Sequence, residues 1–141
     1  MATTFVSERD TIFLTLAGSH AHGTARKDSD VDLRGVAIAP LPVKFSYMQT
    51  FEQYEGPMST GMSQLIKSAS EDMHLSLDSN KVEVVIFDIV KFFRLCAAAN
   101  PNALEILFAD PSAWLFDSPA WRMVFDRRYL FLSRKDRKSV V

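Results

Sequence analysis

Two aspartates one residue apart, Asp30 and Asp32, follow a Gly18-Ser19 pair with ten residues between. On a strand, side chains i and i+2 point to the same face, so the two carboxylates project together. Side by side they repel unless a cation sits between them, and hard oxygen donors of this kind suit Mg²⁺ or Mn²⁺. Gly18 lets a backbone come close to phosphate oxygens, and the Ser19 hydroxyl can donate to one of them. Gly23 provides a turn in the same loop, and Ser29 is a local hydrogen-bonding residue just before the first aspartate. A phosphate cradle beside metal-binding carboxylates is the apparatus of phosphoryl transfer. A Gly-Ser pair alone carries almost no information, and Asp-Ser-Asp is also common in exposed turns. The combination and its spacing carry the reading.

These residues need strands to hold them. The apolar run 12–17 ends at Gly18 and reads as a short buried strand. Val31, Leu33, Val36 and Ile38 read as a second, carrying the aspartates. Arg34 is assigned to the opposite face of that strand, bracing the sheet or pairing with an acid such as Glu105. His20 and His22 lie in the Gly-containing turn. Their i, i+2 spacing is weak evidence for a metal site, and a phosphate-facing or surface role is favoured. The Val-rich run 81–87 reads as a third strand with Glu83 inside it. A strand interior is a costly place for an unpaired charge, so Glu83 is either functional or on the solvent face of an edge strand.

Between these strands, Pro40 and Pro42 turn the chain. Phe45, Tyr47, Phe51 and Tyr54 alternate with polar residues, a pattern that can stack bases but without a basic surround favours core packing. The Gly-, Ser- and Met-rich stretch 56–80 reads as a loop over the site. Apolar residues recur with helical spacing over 89–99, with Asp88 as N-cap and Asn100-Pro101 as stop. Asn102 is expected to cap a second helix over 103–108, and Ser118-Pro119 to open a third. Strands followed by helices predict an α+β domain, a small mixed β-sheet with helices packed on one side.

The 141 residues suffice for one cored domain. A net charge of −1 announces no broad nucleic-acid footprint. Arg122, Arg127, Arg128, Arg134, Lys135, Arg137 and Lys138 crowd the end of the chain, more in the manner of a solvated face than a binding patch. The lone Cys96, in an apolar stretch, excludes an internal disulfide and fits a buried, unreactive thiol. No apolar run reaches membrane length and no leader pattern is visible, so a cytoplasmic protein without membrane partners is expected.

The spacing Gly18-Ser19, ten residues, Asp30-Val31-Asp32 resembles the nucleotidyltransferase signature of the DNA polymerase beta superfamily. With Gly23, Ser29, Arg34 and Gly35 it looks more particularly like the RNA-repair-pathway branch, the RNA-ligase-associated polymerase-like proteins. Residues 87–95 and 100–108 resemble that branch's "KF-x-x-L … NP-x-x-x-E-x-L" segment, in which Lys91, Asn100 and Glu105 match without a derivable chemical role. Val82-Glu83-Val84 resembles the superfamily's third carboxylate element. The resemblance thus implies Asp30, Asp32 and Glu83 as catalytic metal ligands and Gly18, Ser19, Gly23 and Ser29 as nucleotide-binding residues. It implies Mg²⁺-dependent transfer of a nucleoside monophosphate from a nucleoside triphosphate, ATP among them, to an acceptor hydroxyl on an RNA end. It also implies a nucleotidyltransferase core over 1–110, with a loop or insertion about 56–80, and a C-terminal helical segment over 111–141 that is short for the family. The apolar side chains of that segment make a homodimer plausible. Two other functions fit the same residues: an antitoxin-like enzyme that adds AMP to a partner protein, and a catalytically idle nucleotide-binding or interaction module.

Overall fold

Apolar runs too short for helices and rich in β-branched residues dictate the sheet at the centre of this protein. The computed structural model describes residues 5–18, 30–40, 51–75, 77 and 81–132. Ser7–Asp10 forms a single helical turn (α1) that leads into Thr11–Ala17 (β1). Val31–Ala37 (β2) returns antiparallel beside it, with Asp32 opposite Ala17 and Arg34 opposite Thr15. After Gln53–Gly56 (β3) come two short helices, Thr60–Leu65 (α2) and Lys67–Asp72 (α3). Val82–Asp88 (β4) then pairs parallel to β2, and β3 lies antiparallel on the far side of β4. Ile89–Ala97 (α4) and Pro101–Leu107 (α5) follow, then Trp114–Asp117 (β5), which pairs with β1, and Pro119–Asp126 (α6). The strand order is β3-β4-β2-β1-β5, a five-stranded mixed sheet in an α+β domain.

Alternation along the strands divides the core in two. On one face Leu14, Leu16, Leu33, Val84 and Ile86 pack with Met62 and Ile66. On the other, Phe13 and Val36 pack with Phe92 and Cys96 of α4, Ile106 and Leu107 of α5, and Trp121 of α6. The longer helices therefore share one face, while α2 and α3 add cover to the other. Burial pushes the Cys96 thiol up to about 12, which keeps it protonated and unreactive at neutral pH.

Four local expectations are corrected. The stretch 56–80, read as a loop, contains α2 and α3: Ser59 caps α2 by accepting from the Met62 N–H at 3.1 Å. The apolar spacing Met62, Ile66, Ala69 and Met73 seats the pair on the sheet, a helical rhythm hidden by the Gly- and Ser-rich composition. The run at 82–88 is the fourth strand in chain order, because β3 precedes it. Phe51 and Tyr54, flanking and within β3, pack against the core as expected, Phe51 stacking on Phe5 at 4.1 Å. Phe45 and Tyr47 lie outside the described residues. Pro101 opens α5 rather than only ending the helix before it. Proline suits the first helical position, and Asn100, not Asn102, caps that helix by accepting from Asn102 and Ala103 N–H groups at 3.0 and 3.1 Å. Asp88 and Ser118 cap α4 and α6 as anticipated. Residues beyond 110 supply β5 and Trp121 to the same sheet and core.

Gly35 owes its place in the signature to packing. It is buried in β2, and a Cβ there would stand 2.3 Å from the Phe13 carbonyl oxygen and 3.0 Å from a Leu14 methyl. The first of these is backbone and cannot swing aside. Gly35→Ala is expected to destabilise the fold by about 2–3 kcal/mol through overpacking, read as a lower denaturant midpoint with an unchanged slope.

Candidate active site

The C-terminal end of β1 and the N-terminal ends of the parallel pair β2 and β4 meet at one edge of the sheet. Gly18 leaves β1 with φ +65°, a conformation in which side chains other than glycine are strained. A Cβ on it would lie 3.1 Å from Asp32 Oδ2, so the bare glycine backbone is what lets this carboxylate sit against the turn. Glu83 is the register partner of Asp32 on the neighbouring strand. Adjacent strands run about 4.8 Å apart, so the two acids stand side by side on one face.

That face forms the floor of a cleft of about 380 Å³. Asp32 and Arg34 come from β2, Glu83 and Val85 from β4, Glu55 from β3, and Asn102 and Glu105 from the first turns of α5. Asn102, Glu105 and Ile106 recur at i, i+3 and i+4, which turns one stripe of that short helix toward the cleft. Glu83 is exposed, so its charge opens onto the cleft and is not buried in the sheet. The cost that made it conspicuous in the sequence is thereby avoided. β4 lies between β3 and β2, which excludes the edge-strand alternative.

Of the residues singled out in the sequence, Gly18, Asp32 and Glu83 come together here. Asp30 precedes β2, is exposed, and does not line the cleft. Among the described residues no three His, Cys, Asp or Glu side chains converge on one point. Ser19, Gly23 and Ser29, with His20 and His22, lie outside the described residues. Arg34 is corrected: residues 32 and 34 differ by two and share a face, so Arg34 lines the cleft with Asp32. Lys91 donates to Gln53 Oε1 and lies 3.9 Å from a Glu52 carboxylate oxygen, tying α4 to β3. Together with the Asn100 cap this places two of the three matched polar residues in local structure, while Glu105 reaches the cleft. Glu55 and Asn102 were missed. Helical periodicity from Pro101 would have found Asn102, but nothing local marks Glu55, which enters only because β3 pairs with β4.

Two oxygen-donor side chains in register fit a hard divalent cation. Mg²⁺ commonly takes one or two carboxylates and completes its shell with water and substrate phosphates. Asp32 and Glu83 meet that demand without a third protein ligand at the same point.

A family model described as the RNA repair pathway DNA polymerase beta family (RlaP) matches residues 4–123, a span that contains every cleft residue named above. No curated protein and no solved structure matches the chain.

Proposed function

Because this chain belongs to the RNA repair pathway DNA polymerase beta family, we propose that it is a Mg²⁺-dependent nucleotidyltransferase that transfers a nucleoside monophosphate from a nucleoside triphosphate to a hydroxyl on an RNA end. The observation that carries this reading is the in-register pair Asp32 and Glu83 beneath the Gly18 turn. Asp32 and Glu83 would hold the ion, with Asp30 close by in the chain. When bound, Mg²⁺ neutralises phosphate charge and eases ionisation of the acceptor hydroxyl. Gly18 leaves room for the triphosphate against the sheet. Glu83, open to the cleft, is suited to take the proton of the attacking hydroxyl. The acceptor oxygen bonds to the α-phosphorus as the bond to pyrophosphate breaks.

The test is a transfer assay with each α-labelled nucleoside triphosphate, Mg²⁺ or Mn²⁺, and mixed RNA and protein acceptors. A variant with Asp30→Asn and Asp32→Asn together is run alongside. Label moving to RNA only with the intact aspartates is the expected result, and it names the nucleotide. Label on protein instead would replace RNA by a protein acceptor. No transfer by folded, nucleotide-binding protein would overturn the enzymatic reading.

A further inference from the structure

Among the described residues that line the cleft, Arg34 is a cation beside several acids. Among the described lining residues, four carboxylates (Asp32, Glu55, Glu83 and Glu105) share the space with this one guanidinium. We propose that Arg34 is a phosphate-binding residue of the cleft, gripping a phosphate of the bound triphosphate or of the acceptor strand. This rests on the nucleotidyltransferase reading and adds to it a substrate ligand from the chain's own residues.

Arg34 stands one alternation beyond Asp32 on the same face, about 6.6 Å along the strand, so both address one extended ligand at successive positions. Its immediate cross-strand partners are Thr15 and Val85. Neither is a counterion, and the Thr15 hydroxyl already donates to the Ala113 carbonyl at 3.0 Å. Arg34 Nη1 donates to the Leu33 carbonyl at 3.0 Å, a bond that steadies the half-buried side chain. Among the described residues no carboxylate forms an ion pair with it. A guanidinium carries five N–H donors in a planar fork that matches phosphate oxygens two at a time, so this single bond leaves most of its capacity for a ligand. The surrounding acids oppose an anionic ligand. A fixed positive charge among them offsets that opposition where no cation is held between carboxylates.

Arg34→Gln and Arg34→Lys are compared with the unaltered chain by thermal unfolding, by equilibrium binding of the nucleoside triphosphate and of inorganic triphosphate with Mg²⁺, and by KM for the RNA acceptor. Arg34→Gln is expected to weaken one ligand by about 10- to 100-fold, with Arg34→Lys between it and the unaltered chain, and Tm unchanged. Weaker inorganic triphosphate binding assigns Arg34 to the nucleotide's phosphates. A raised RNA KM with intact triphosphate binding assigns it to the acceptor. If all affinities stay within about twofold, whether or not Tm falls, Arg34 is only a sheet brace and the proposal is overturned. Failure of the unaltered chain to bind or transfer any nucleoside triphosphate would overturn the nucleotidyltransferase reading and this inference with it. Equal triphosphate binding together with an equal RNA KM in the unaltered chain and Arg34→Gln would remove the inference alone.

Discussion

Replacing Asp32 by Asn is expected to reduce nucleotidyl transfer by on the order of 10³-fold while leaving the protein folded and slightly more stable. The amide keeps the shape of the side chain and removes its charge. Loss of a metal-binding carboxylate forfeits several kcal/mol of charge stabilisation in the transition state, and each ~1.4 kcal/mol is a factor of ten in rate. The stability change has the opposite sign. Asp32 and Glu83 are direct neighbours on paired strands, and like charges so placed destabilise a sheet by roughly 0.2–1 kcal/mol. Neutralising either relieves that repulsion in the metal-free protein. Glu83→Gln should therefore share the small gain in Tm and lose activity as well. Added Mg²⁺ should raise the Tm of the unaltered chain and have little effect on either variant, since a ligand stabilises only the state that binds it. Unfolding curves with and without Mg²⁺, beside transfer rates, provide the check. An Asp32→Asn protein with more than a tenth of normal activity would remove Asp32 from the metal site.

Trp121→Ala should be the most damaging single change to the fold. Trp121 is fully buried, stacks on Phe13 with ring centroids 4.0 Å apart and an interplanar angle of 7°, and meets Phe92 at 5.9 Å. Emptying such a site costs about 3–5 kcal/mol, a large share of the 5–15 kcal/mol that holds a typical domain together. Among the described residues the buried indole N–H has no hydrogen-bond partner. Trp121→Phe keeps an aromatic ring on Phe13 and discards that unpaired donor, so it should lose far less, about 1–2 kcal/mol. Equilibrium denaturation of both variants separates the stack from the indole nitrogen. Equal losses would mean that the ring stack does not hold α6 to the sheet. Phe13 belongs to β1, the strand that ends at Gly18, so the alanine variant should also lose activity at temperatures where it remains mostly folded.

The acidic pair was legible because its parts carry local signals. Asp32 stands at the start of an apolar alternation that marks a strand, and Glu83 interrupts an apolar run where a charge is conspicuous. Caps at Asp88 and Ser118 were legible for the same reason, since a cap is a contact between residues two or three apart. Arg34 was legible too, and its assignment to the far face went against the very alternation that paired the aspartates. What stayed hidden depends on distant pairing. Gln53–Gly56 is only four residues long and becomes a strand because β4 offers an edge to it. The helices over 60–72 are six residues each, marginal in isolation, and exist because Met62 and Ile66 bury against the sheet. Glu55 enters the cleft only through the first of these events.

The parallel pairing of β2 with β4 also has a consequence in time. Parallel neighbours cannot be joined by a tight turn, and here the connection includes β3, α2 and α3 before the chain returns. Closing so long a loop is entropically unfavourable until the contacts that reward it are made, which puts this pairing late in folding. The β1–β2 pair can form early, yet it contributes only Gly18 and Asp32. Glu83 arrives with the crossover. A partly folded chain, at emergence from the ribosome or during refolding, thus holds only half of its acidic pair. The side-by-side placement of the two carboxylates becomes a property of the completed sheet, acquired late in folding.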